Sequence, residues 1–235
     1  MRQGKECQLT EQIAGWKRFE RSSDAYLAVL VIFLTVIILP ILTSDVVGLE
    51  RIFSAVLVGG AVTLSMAASQ APRWAIHVSW MASVLVVFSV LFSGAPTEVA
   101  VIGGLVLAVL LISTPVVILR RISKHERVTA TTMWGAISAY LAFGLAFSLL
   151  YAAIAEVNPD AFTNLAEASL GDTNYFSFVT MTTLGYGDIA PVSDVARGLV
   201  VFQTLIGQIY LVVVVARVVS LLGRPYTKLT EVEGE

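Results

Sequence analysis

Charge is scarce in this chain. Of its 235 residues only 14% are Asp, Glu, Lys or Arg, against roughly 25% in soluble domains. Apolar residues make up 57% and mean hydropathy is +0.82, which excludes an ordinary water-soluble domain. Cysteine occurs once, at Cys7, so an internal disulfide framework is excluded and the lone thiol is expected to be inert. There are two histidines and no His, Asp or Glu cluster inside the apolar runs, so neither an enzyme nor a metal centre built from side chains is expected. The net charge of −2 says little by itself; no nucleic-acid partner is expected, and no soluble ligand is identifiable. No apolar stretch with a small-residue cleavage site follows the N-terminal basic residues, so no cleaved leader is expected. Internal repeats and low-complexity segments are absent.

Long apolar runs fill the space. Six of them, about Asp24 to Thr43, Leu49 to Ser69, Arg73 to Ser93, Glu98 to Leu119, Thr129 to Ala155 and Val195 to Leu222, are near the ~20 residues a helix needs to cross the hydrocarbon layer. The expected fold is an all-α membrane protein with six transmembrane helices. Residues 1–23 form a polar N-terminal segment, in which Leu9, Ile13, Trp16 and Phe19 suit either a helix lying at the interface or a frayed tail. Residues 24–119 make a four-helix domain with short Gly-, Pro-, Ser- or Asp-marked loops. Residues 120–128 form a basic connector, and residues 223–235 a tail expected to be too short for a folded domain. With six crossings, 13 of the 15 Lys and Arg fall on the side of the termini, leaving Arg51 and Arg197 opposite. The excess of positive charge puts both termini in the cytoplasm of a multi-pass cell-membrane protein.

Between the last two long runs lies Asn174 to Pro191, NYFSFVTMTTLGYGDIAP. Its apolar part is too short to cross, so it should enter the membrane and turn back. Non-helical backbone survives at that depth only inside protein or beside water. Gly185 and Gly187 allow left-handed dihedrals at alternate residues without a Cβ clash. Backbone of alternating hand can turn successive carbonyls toward one axis, where a ring of them replaces the water around a cation.

TTLGYGD, residues 182–188, resembles the selectivity filter of potassium channels, whose related loop reads TVGYG. The departure is Leu184 where Val is commoner; the carbonyl does the work there and the side chain is expected to pack behind. The resemblance covers about Thr129 to Leu222 as a pore domain of outer helix, re-entrant pore helix, filter and inner helix. It implies a homotetramer surrounded by membrane lipid, conducting K+ ions passively. The implied ligands are the carbonyls of Thr183, Leu184, Gly185 and Tyr186, with the Thr183 hydroxyl. Tyr186 is expected to brace against Tyr175 and Phe176 of a pore helix running from Asn174 to Thr182 and capped by Asp172 or Thr173. Val179 stands where some of the family carry a Glu that pairs with the Asp after the filter. Asp188 therefore needs another partner, for which the Tyr175 hydroxyl is the candidate; Gly187 supplies backbone freedom beside it.

The last long run should line the inner pore. By resemblance Gly207 occupies the hinge position, close packing against the fifth helix being the alternative. Gln208 is expected to face the cavity, and Ala216 and Val219 to form an apolar gate. Acidic residues on the outer side, among them Glu156, Asp160, Asp172, Asp188 and Asp194, either concentrate cations at the mouth or are a solvated surface. His77 is either a titrating group or a helix-end anchor. The fourth run, EVAVIGGLVLAVLLISTPVVIL, has no Lys or Arg. Voltage sensing needs charges that move through the field, so intrinsic voltage gating is not expected. Two other functions compete: a potassium-transporter subunit, which would carry four loops in one chain, and a non-conducting sensor or scaffold, which has no need of Gly185-Tyr186-Gly187.

Overall fold

The computed structural model describes residues 27–42, 49–68, 72–91, 97–124, 130–165 and 169–222. They form seven α-helices: α1 (Leu27–Leu42), α2 (Leu49–Ala68), α3 (Arg73–Leu91), α4 (Thr97–Lys124), α5 (Ala130–Val157), α6 (Leu170–Met181) and α7 (Asp194–Leu222). A 3-10 turn at Pro159–Ala161 leads from α5 into β1 (Phe162–Thr163), which pairs antiparallel with β2 (Ala190–Pro191). Met133–Val157 and Asp194–Val214 are, among the described residues, long and apolar enough to cross a membrane, while shorter apolar stretches lie in α1 to α4.

Boundaries follow the apolar runs, with two differences. α4 continues through Arg120, Arg121 and Lys124, so the first half of the expected connector is helix. These residues are good helix formers. Residues 1–26 and 125–129, and the tail from 223, lie outside the described residues. The short helix α6 begins four residues earlier than expected. Its N-cap is Ser169, whose hydroxyl accepts from the Asp172 amide at 3.0 Å and donates to the Asp172 carboxylate at 2.8 Å. Ser169 is thus the N-cap, and Asp172 is the third residue of the helix and not the cap itself.

The largest core cluster runs from α1 (Val29, Phe33, Val36) through α2 (Val58, Val62) and α4 (Leu107, Leu111) to α5 (Leu145, Ala146). The first four helices therefore lean on α5 of their own chain, chiefly through α4. Small residues let α2 and α3 touch: a Cβ on Gly59 would sit 2.6 Å from the Ser83 Cβ. A second cluster gathers Phe147 and Tyr151 of α5, Phe162 of β1, Phe176 of α6 and Ala196 of α7. Tyr151, Phe162 and Phe176 meet edge to face, with centroids 5.0–5.6 Å apart, the arrangement ring quadrupoles favour. This triad seats α6 against α5 and β1.

Candidate functional site

α6 stops at Met181, in the middle of the protein, and its last carbonyls need donors. The Thr183 amide donates to the Thr180 carbonyl at 3.0 Å and the Leu184 amide to the Val179 carbonyl at 2.9 Å. With Thr182 as C-cap, these two bonds make a Schellman ending. Such an ending requires a left-handed residue just past the cap. Glycine usually fills that place; here it is Thr183, with φ of 60°. A β-branched residue in that region costs about 1–2 kcal/mol. Positive φ recurs at Gly185 (55°) and Gly187 (82°), so the backbone alternates in hand from 183 to 187. The glycines' role follows from their type; the same conformation at Thr183 does not.

Val179 acts through its carbonyl, which also receives the Gly185 amide at 3.4 Å. The Thr182 hydroxyl donates to the Phe178 carbonyl at 2.7 Å. Phe178 in turn lies against Gly144 of α5, where an added Cβ would collide with the ring. Leu184 and Tyr186 remain 56% and 67% exposed within one chain.

Tyr175 holds the far end of the loop. Its ring stacks on Tyr186 with planes 4° apart and centroids 6.4 Å apart. Its hydroxyl donates to Asp188 Oδ2 at 2.7 Å. That bond holds the Asp188 carboxyl below its ordinary value and pushes the Tyr175 hydroxyl up to about 12. Phe176 does not join the brace. Neighbours on a helix point about 100° apart, so with Tyr175 toward Tyr186, Phe176 turns to Tyr151 and Phe162. A tether absent from the sequence reading reaches the same end: Asn164 Nδ2 donates to the Asp188 carbonyl at 2.7 Å. β1 and β2 pair beside it, and the Ala190 amide donates to Thr163 Oγ1 at 2.9 Å. Glu156, Asp160, Asp172, Asp188 and Asp194 are all exposed.

Behind α6 lies a buried polar chain that sequence reasoning missed. Gln203 of α7 is 1% exposed. Its Nε2 donates to the Ser177 hydroxyl at 2.7 Å and the Ser177 carbonyl at 3.1 Å, while its Oε1 accepts from the Tyr151 hydroxyl at 2.5 Å. Ser177 passes its own proton to the Gly144 carbonyl at 2.6 Å. One amide thereby joins the outer, short and inner helices. One turn further on, Gly207 faces Met181, where a Cβ would lie 3.0 Å from the Met181 Cγ and 3.3 Å from its carbonyl oxygen. The close contact of Gly207 is thus with α6, not with α5. Gln208 and Ala216 are exposed within the chain; the Val219 side chain lies outside the described residues.

Residues 135–224 match the family model described as "Ion channel". The chain is 31% identical over 124 residues to Protein LctB of Bacillus caldotenax, covering 91% of that protein and 49% of this one. It belongs to the ion channel family. A second LctB, from Geobacillus stearothermophilus, is 28% identical over 123 residues and 91% of its length. The inward rectifier potassium channel Kirbac3.1 of Paramagnetospirillum magnetotacticum is 33% identical over 86 residues, covering 37% of this chain and 28% of that one. No solved structure gives a significant match. The match at 135–224 takes in most of α5 and all of α6, the alternating loop and α7, so the geometry above is that of a channel domain in a membrane protein.

Two outcomes are expected of the channel. Replacing Gln203→Leu strands the Tyr151 hydroxyl and frees Ser177, costing on the order of 2–3 kcal/mol; thermal unfolding of the detergent-solubilised chain reads it, and an unchanged Tm counts against the network. Tyr175→Phe removes the tie to Asp188. In the wild type a depressed carboxyl contributes stability above its ordinary pKa of about 4 and loses it as pH falls through the lower folded value. A raised phenol contributes below about 10 and loses that as pH rises towards 12. The tie therefore stands across pH 5–9, and the Tm difference between this variant and the wild type should be flat there and shrink in acid below about pH 4.

Proposed function

We propose that the chain is one subunit of a potassium-selective channel, four copies of which bring residues 183–186 around a common axis. The observation that carries this reading is the alternation in backbone hand at Thr183, Gly185 and Gly187. Such backbone turns successive carbonyls to one side, and four copies offer a dehydrated ion stacked layers of main-chain oxygen. The carbonyls of Thr183, Leu184, Gly185 and Tyr186 are the proposed ligands, with the Thr183 hydroxyl closing the inner end. Tyr175 braces the loop through Tyr186 and Asp188, and Gly187 gives the turn its freedom. The potassium channel Kirbac3.1 among the relatives supports the choice of ion.

Assembly of copies around an axis is supported by how differently α5 and α7 are covered. In the most apolar 18-residue stretch of Met133–Val157, 61% of residues are buried within the chain, against 17% in that of Asp194–Val214. Val201, Leu205, Ile209 and Val212 stand more than half exposed along α7, a face available to neighbouring copies and to the central path. In this reading α1–α5 and α7 cross the cell membrane within lipid, α6 re-enters it, and both termini are cytoplasmic. Upstream of Gly207, α7 is pinned to α6 by Gln203, so bending for opening is assigned to Gly207 and beyond, with Gln208 towards the cavity and Ala216 and Val219 at the constriction. α4 carries no basic residue before Arg120, which supports a channel without steep voltage dependence.

Liposome flux under a potassium gradient, compared with sodium, tests this. Purified chain is expected to carry potassium in strong preference. Gly187→Ala, which forces a Cβ onto a φ of 82°, should lose selectivity or conduction. Equal sodium and potassium flux in the wild type would refute the reading.

A further inference from the structure

α1 contains a proline, Pro40, four residues after Val36. Proline has no backbone N–H, so the Val36 carbonyl has no donor from its own helix one turn on. The missing donor comes from α6: Asn174 Nδ2 lies 3.1 Å from the Val36 carbonyl oxygen, a bond between residues 138 positions apart. Asn174 is fully buried, and its Oδ1 has no partner among the described residues. An apolar side chain of similar shape would fill this place without stranding an oxygen. The amide is matched to the gap that Pro40 leaves. One turn away on α6, Gly171 rests on the same break: a Cβ there would fall 2.8 Å from the Pro40 carbonyl oxygen and 3.1 Å from its carbon. That is backbone, which cannot step aside.

We propose that Pro40 and Asn174, with Gly171 as the seat, form a joint by which the α1–α4 bundle sets the position of α6. Asn174 is thereby a positioning residue for the filter. It touches no ion; it acts through α6, whose Val179 and Thr180 carbonyls hold the amides of residues 183–185. Asn174 stands about two turns before Thr182 on a rigid helix, so a shift at the joint is delivered to the loop. The joint is made within one chain, which ties each bundle to its own filter loop and not to a neighbour's. It also gives the first four helices a task, one that rests on the reading of residues 182–188 as a filter.

The test is a double-mutant cycle on the full chain in liposomes, reading both Tm and the ratio of potassium to sodium flux. Pro40→Ala gives α1 its own donor and strands the Asn174 amide; Asn174→Leu strands the Val36 carbonyl. Each is expected to lower Tm by a few degrees and the flux ratio several-fold. In the double variant the two mismatches remove each other, so the Tm loss falls well short of the sum of the single losses, while the ratio stays low because α1 no longer grips α6. Additive Tm losses would overturn the joint. A wild-type flux ratio in Asn174→Leu or in the double variant would overturn its positioning role and leave packing alone. A wild-type chain without potassium preference would instead refute the filter reading, and the Tm cycle would still decide whether the joint exists.

Discussion

A helix that ends inside a protein must hand its last carbonyls to some donor. In this chain the donors are the next residues of the same strand. Pairing the Thr183 and Leu184 amides with Thr180 and Val179 fixes Thr183 in the left-handed region. The loop then leaves the helix already committed to an alternating backbone. The strain stored at Thr183 persists because the surroundings over-determine it, and those surroundings are the rest of the structure.

Each neighbour of α6 grips it by a different means. α5 supplies the ring triad around Tyr151 and the clearance at Gly144 for Phe178. α7 supplies Gln203 and, one turn on, the bare backbone of Gly207. α1 supplies the carbonyl that Pro40 orphans. Outside, the β1–β2 ribbon and Asn164 hold Asp188 from beyond the loop. Two of these grips, at Gln203 and at the Val36 carbonyl, are hydrogen bonds among buried groups. Apolar packing could hold α6 as tightly but tolerates sliding, whereas a directed bond has one register. Placement to a fraction of an ångström is what the proposed site of main-chain oxygens would require.

The sequence shows this architecture unevenly, and the reasons are physical. Gly185 and Gly187 announce positive φ because their residue type alone permits it. Thr183 adopts the same conformation with the residue type least suited to it, and only the helix ending reveals why. Ser169 and Asp172 are both good caps; the three-residue spacing between them decides in favour of Ser169. Gln203 and Gln208 are both polar residues in an apolar helix, and it is Gln203 that is buried. Gln203 shares a face with Gly207, four residues on, so taking Gly207 as a point of close contact would have led to it. Asn174 could not be read at all, since its partner is defined by a proline more than a hundred residues away.

The uncovered length of α7 bears on how copies come together. In water its bare valines and leucines would be glue enough. In a bilayer they are not, because acyl chains are as apolar as any neighbouring side chain and ask nothing for the contact. What hydrocarbon does not tolerate is non-helical main chain, and residues 182–188 are exposed in the single protomer. In the assembly proposed above, the thermodynamic demand for company would therefore come from the loop, with the greasy flank of α7 fitting around it.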